Sequence, residues 1–365
     1  MSELNSDKNL TADSETGKII YSDGSTGELE YSSLFGHFQI NQREEDIVSI
    51  IFPSNIKTIN SFGLINCEKL KTIVIPEGVE EIGSWSCSGA QNIEEITLPE
   101  SLTVIDDMSF GLCIKLESII IPKNVRRIGE RAFNYCTELS SITFSEGLTH
   151  IGDGAFVGCE KLTDVTIPTS VTEIGGNPFP GCYDIKISVS PENKNFTVID
   201  NNLYSADKKK IISYTSKKGE TDFAVPQSVT SIANSAFSHC KELKNISIHH
   251  GVTEIGSLAF SFCEGITSIA LPNITVINNH TFCRCEGLES ITVPASVKSI
   301  GNAAFLGCKS LRSITLPAGL TSIGTEAFNE CESLTDVYFG GSKKNWEKIS
   351  IDVRNDALIN AKIHF

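Results

Sequence analysis

A period of 23 residues runs through most of this chain, and it decides what the chain can fold into. LSSITFSEGLTHIGDGAFVGCEK from Leu139 and LTDVTIPTSVTEIGGNPFPGCYD from Leu162 align without a gap. The shared frame, L-x-x-I-x-I-P-x-x-V-x-x-I-G-x-x-A-F-x-x-C-x-x, starts again at Leu116, Leu243, Ile266, Leu288 and Leu311. Cysteine is the ruler: Cys113, Cys136, Cys159 and Cys182 stand 23 apart, as do Cys240 and Cys263, and then Cys285, Cys308 and Cys331. The step from Cys263 to Cys285 is 22 because one corner residue is missing between Pro272 and Ile274. In the second coil Cys87 replaces Phe and Ala90 replaces Cys, and Trp85 is expected to restore the lost volume. Periods of about 20 to 50 residues mark solenoids and arrays. Eleven such segments can be counted. The few side chains one coil can bury do not offset the entropy of ordering its residues, so stability must come from stacking.

Within each coil, L-x-x-I-x-I ends as a strand whose alternate residues face inward. Nine of the twelve prolines, among them Pro122, Pro168 and Pro317, follow that strand at one position, where the missing amide ends the ladder and the chain turns. The Ile-Gly pair, as in Ile128-Gly129, reads as a second tight bend, and A-F-x-x-C as a short helical turn closing the coil. The predicted fold is a repeat solenoid: a right-handed, leucine-rich-repeat-like stack of about eleven 23-residue coils with one parallel β-sheet face, an inserted β-hairpin and end caps.

Strand, proline corner, Ile-Gly bend and A-F-x-x-C together resemble the BspA-like (Treponema pallidum type) leucine-rich repeats, over about residues 46 to 339. The resemblance lies in their recurrence in register through many coils. It implies a bacterial surface or secreted protein, some members being adhesins for host matrix proteins or other bacteria. It brings no catalytic residue to this chain.

Composition excludes several other roles. The 365 residues carry 30 Lys and Arg against 45 Asp and Glu, a net charge of −15 that argues against nucleic acid as a ligand. No apolar run approaches the roughly 18 residues of a membrane span, so no membrane insertion is expected. Met1 to Ile20 lacks the apolar stretch of a secretory signal, which leaves either an extracellular or surface protein whose leader has been removed, or a cytoplasmic one. No sortase-type motif or hydrophobic tail ends the sequence, so surface attachment is expected to depend on a removed leader or on a partner.

From Cys182 to Cys240 is 58 residues, one period plus 35, which places an insertion at 188–222. Phe196 to Tyr204 and Ile211 to Tyr214 flank a polar turn, predicting a projecting β-hairpin. It carries Lys208, Lys209, Lys210, Lys217 and Lys218, a positive cluster on an acidic chain. With Phe196, Tyr204 and Tyr214 these lysines form a candidate docking site for an acidic partner or anionic glycan. The plainer alternative is lysines that keep a strand edge soluble and aromatics that pack on the solenoid. The chain then divides into a polar tail and capping hairpin at 1–45, coils at 46–187, the insertion at 188–222, coils at 223–339 and a C-terminal cap at 340–365, where Trp346 covers the last coil.

Ten of the twelve cysteines share one apolar register, which suits buried thiols better than disulfides or zinc. Cys283 stands outside it, just after a core Phe on the expected outer side, and is the candidate exposed thiol. The histidines show no metal spacing, no G-x-S-x-G elbow occurs, and doublets such as Asp106-Asp107 read as solvated surface. No catalytic residue, metal or cofactor is assigned. Solenoids present extended concave sheets, which makes the strand face a candidate surface. Its outward residues, Thr97, Ile120, Thr143, Thr166, Ser247, Thr292, Thr315 and Tyr338, are mostly too small for a tight protein contact. The expected function is non-enzymatic recognition or adhesion, by a monomer that presents a rigid surface to a host protein, another cell or a glycan. A structural or self-assembling scaffold is the alternative, and a polysaccharide-active enzyme the more remote one.

Overall fold

Inward Ile alternating with outward Ser or Thr gives each coil a strand of three or four residues, and these strands stack in parallel without slipping. Ile119 lies beside Ile142, and Ile269 beside Ile291 and then Ile314. The computed structural model describes residues 17–32, 37–39, 43–60, 64, 67–215 and 219–365. The proline opens the next turn, in which Val125 N–H donates to the Pro122 carbonyl and Val171 N–H to that of Pro168. A second strand of two residues then forms at the Ile before the glycine, where Ile128 pairs with Ile105 and Ile151. The expectation of a single sheet face is therefore corrected: there are two parallel ladders. The second runs through six coils, from Thr58–Ile59 to Glu173–Ile174.

The glycine of the Ile-Gly pair is not a left-handed bend, since Gly129 has no positive φ. A Cβ there would overlap Asp107 Oδ1 and lie 2.5 Å from the Asp107 amide nitrogen. Close approach of the preceding coil selects glycine.

A-F-x-x-C is not helical but a run of turns. Alternate amides in it point to the following coil: Arg131, Phe133 and Tyr135 N–H donate to the carbonyls of Asp153, Ala155 and Val157. This path uses left-handed residues two and six positions after the glycine site, as at Arg131 and Tyr135 (φ 53° and 55°) and, where Asn278 takes the place of glycine, at His280 and Arg284 (φ 57° and 60°). The phenylalanine between them is buried and stacks coil on coil, with ring centroids 5.2 Å apart for Phe110 and Phe133 and 5.4 Å for Phe133 and Phe156. The cysteine does more than fill space. Its thiol donates to the phenylalanine carbonyl of the preceding coil, Cys136 to Phe110 at 3.2 Å and Cys331 to Phe305 at 3.1 Å. All twelve cysteines are buried free thiols.

The insertion does not project as predicted. Phe196–Ile199, Asn202–Ser205 and Lys210–Ser213 form an antiparallel meander whose last strand pairs in parallel with Ser231–Ile232, taking a place in the second ladder. Strand alternation sends its side chains two ways. Phe196, Leu203 and Ile212 join the buried cluster of the N-terminal coils, while Tyr204, Ile211 and Tyr214 join that of the C-terminal coils. The meander is thus an internal partition. Tyr214 fills the phenylalanine position, 5.1 Å from Phe237, and its N–H donates to the Ala236 carbonyl.

Asn177, 1% exposed, stitches the two stacks directly, its N–H donating to the Asn234 carbonyl and its Nδ2 to that of Ser235.

At the N-terminal end Gly17–Tyr21 pairs antiparallel with Thr26–Ser32 and with Ile47–Ile51, and Ile19 and Leu29 close the core. At the other end Ser350–Ile351 and Lys362–His364 add a final strand to each ladder. Asn355 Oδ1 accepts the Phe328 N–H in place of a further coil, and half-buried Trp346 meets Phe339 edge-on.

Candidate functional site

The residues singled out in the insertion do not come together as one surface. Lys208 and Lys209 are exposed at the turn between two meander strands, and Lys210 is half-buried in the last of them. Lys217 and Lys218 lie outside the described residues. Phe196, Tyr204 and Tyr214 are buried at 9%, 2% and 3% exposure, because the strands run inside the stack; they offer no ring to a partner. Cys283 is likewise corrected. It is 6% exposed, in the turn between the left-handed residues His280 and Arg284, and burial pushes its thiol up to about 11. Trp85 is corrected in the opposite sense: at 56% exposure it fills no core volume.

On the strand face the outward residues are solvent-facing and mostly Thr or Ser, with Ile120 the most exposed large one. Tyr338 stacks on His364 at the C-terminal end, where His364 Nε2 lies 2.7 Å from Asp336 Oδ1. The face is regular and carries two open grooves, of about 460 Å³ around Ser268 to Pro294 and about 480 Å³ around Ser141 to Pro191, lined mainly by short side chains.

The more structured surface lies on the turn face, where the two left-handed columns stand as walls along the solenoid. Trp85, Met108, Arg131 and Leu258 belong to the column two residues after the glycine; Leu112, Tyr135, His239 and Phe262 belong to the column at six. Between them, side chains such as Asn134, Val157, Pro180, Ser238 and Ser261 make a floor, and the trough encloses about 390 Å³. Its centre is widened by sequence. Gly154 in its lining, and Gly158 and Gly181 in the column at six, occupy left-handed positions, so the walls lose their side chains across the junction of the two stacks. Tyr135 fills part of this space: a Cβ on Gly158 would lie 2.6 Å from its Cδ1 atom.

Polar groups punctuate the trough. His239 stacks on Phe262 at 4.5 Å, and its Nδ1 shares a hydrogen bond with Ser238 Oγ at 2.9 Å. Burial, aided by Lys241, pushes the imidazole down to about 4, so it is neutral at pH 7. Ser238 is itself buried and bonds to Ser261 Oγ at 2.7 Å, so this chain of hydroxyls orients the ring and does not free a nucleophile. Asn134 Oδ1 and Asp153 Oδ1 have no hydrogen-bond partner. Burial, with the Glu130 charge nearby, raises the Asp153 carboxyl. Among the described residues no group of three His, Cys, Asp or Glu is placed to hold a metal ion, and no helix is long and apolar enough to cross a membrane.

Sequence reasoning missed this trough because it followed the invariant positions. The signal was in the variable ones, where Trp85, Tyr135, His239 and Phe262 recur at fixed offsets beside the frame.

Parallel coils with a phenylalanine ladder and two short strands per turn define a leucine-rich repeat solenoid. The family model for the BspA type leucine-rich repeat region matches in six copies, over residues 42–137, 105–223, 210–335 and 275–351, and the chain belongs to that family. Among solved structures, it is similar to a leucine-rich cell surface protein of Faecalibacterium prausnitzii, at 26% identity and TM-score 0.69, covering 95% of this chain and 99% of that one. The pneumococcal vaccine antigen PcpA (21% identity, TM-score 0.63, 96% and 99% covered) and a leucine-rich repeat protein of Eubacterium ventriosum (20%, 0.57, 95% and 96%) share the fold. No curated protein matches significantly.

Proposed function

We propose that this protein is a non-enzymatic recognition protein of the cell-surface type, which presents a rigid solenoid to a host protein, another cell or a glycan. One observation carries the reading: the inward positions repeat almost unchanged, while the outward columns of the turn face change from coil to coil and leave a lined trough. A fixed inside with a varied outside suits a scaffold that displays contacts. The family membership and the surface-protein relative from Faecalibacterium prausnitzii support a surface location. The exposed Lys208 and Lys209, with half-buried Lys210 next to them, make a second contact point, for an acidic partner.

Binding of labelled protein to arrays of matrix proteins, glycans and bacterial cells tests this, with Lys208, Lys209 and Lys210 changed to Glu as a comparison. Saturable binding to at least one class is expected, and its absence from every array overturns the recognition reading. Binding unchanged in the triple variant removes the lysines from the contact. A self-assembling scaffold would instead show a mass that rises with concentration by light scattering.

A further inference from the structure

The trough on the turn face carries a more specific assignment, resting on the recognition reading above. Its volume, about 390 Å³, falls within the roughly 300–1,000 Å³ of small-ligand sites. Two features choose among ligand chemistries. First, backbone pairing is used up: the amides of Arg131, Phe133 and Tyr135 already donate to the next coil, so an extended peptide finds no ladder to join. Second, what is left over is acceptor capacity beside aromatic rings. Asn134 Oδ1 and Asp153 Oδ1 are turned under against Gly111 and Gly176 without partners, so each oxygen has acceptor capacity to spare, while the Asp153 carboxylate is also held by hydrogen bonds to Ser235 and Asn234. Tyr135, 41% exposed, and Trp85, 56% exposed, supply flat apolar faces on the walls of the same trough.

We propose that the trough binds a neutral, linear oligosaccharide, with sugar C–H faces laid on Tyr135 and Trp85 and sugar hydroxyls donating to Asp153 and Asn134. Rings with hydroxyls around their edge satisfy both demands, for apolar contact and for donors. The net charge of −15 disfavours an anionic glycan here.

The chain has two tryptophans, so a Trp346→Phe background leaves Trp85 as the sole tryptophan reporter. Full-length protein is titrated with neutral β-1,4-linked glucose, mannose, xylose and N-acetylglucosamine oligomers, with a sulfated oligosaccharide and with an extended lysine-containing peptide. A saturable shift of Trp85 emission with at least one neutral oligomer is expected. Tyr135→Ala and Val157→Phe, the second filling the floor from an outward position, should each weaken it by about tenfold. Thermal melting checks that the variants fold, and Val157→Phe carries the test if Tyr135→Ala does not. No response to any neutral oligomer, a response that Val157→Phe leaves within twofold of the parent, or binding of only the sulfated sugar or the peptide overturns the proposal. Where the oligomer titrations fail in one of these ways while the parent still binds matrix proteins or cells on the arrays, the trough assignment falls and the recognition reading stands.

Discussion

At the scale of single residues, the frame selects for hydrogen bonding and close approach as much as for oiliness. Cysteine recurs because a small buried side chain with a donor reaches the phenylalanine carbonyl one coil back, as Cys159 reaches Phe133 at 3.2 Å. Apolar periodicity made the buried register readable, yet it could not reveal that bond, which exists only between coils. His239 gives a sharper consequence. Its folded value of about 4 lies below the ordinary 6.5, so the unfolded chain takes up the proton first as pH falls. The stability linked to this histidine is complete above pH 6.5 and is lost progressively between 6.5 and 4, on the order of 3 kcal/mol in all. Urea unfolding at pH 7 and pH 4.5 should therefore show a smaller acid loss in His239→Gln than in the parent. Equal losses would mean that the ring is not buried as described.

At the scale of elements, the insertion was legible in extent and only partly in form. Its length follows from the gap between Cys182 and Cys240, and its strands from the alternation around Phe196 and Ile211. The adjacent apolar pairs Leu203-Tyr204 and Ile211-Ile212 stand in the sequence, but the pattern could not show that the two members of each pair are buried in different clusters. A strand that is buried on both sides belongs inside, whereas a projecting hairpin would leave one face in water. The junction also depends on Asn177, whose side chain accepts the Phe179 N–H at 2.8 Å and donates to the Ser235 carbonyl at 3.2 Å. Removing it leaves buried groups unpaired. Asn177→Ala should cost about 3 kcal/mol, read as a lowered urea midpoint, because each unsatisfied buried partner carries a penalty of that order or less. A midpoint unchanged from the parent would show that the stacks do not rely on this stitch.

At the scale of the whole molecule, two stacks of coils are joined across the partition to make one rod. The period in the sequence foretold the stacking, and the break in the period foretold where it would be tested. The second ladder ends at Glu173–Ile174 and resumes at Lys210–Ser213, so continuity at the junction rests on Asn177, on Asn201, whose side chain accepts the Ile187 N–H and donates to the Ile185 carbonyl, and on Tyr214 on the far side of the partition. The trough depends on the same continuity, since Gly154, Val157 and Pro180 lie on one side of the junction and His239 and Phe262 on the other. Native-state hydrogen exchange reads this directly. The amides of Asn177 and Tyr214 should exchange as slowly as those of Phe133 and Phe305, while the exposed turn around Asp207 to Lys209 exchanges fast. Exchange of the Asn177 and Tyr214 amides at the rate of that turn would contradict the account, leaving two separate bodies and no continuous trough.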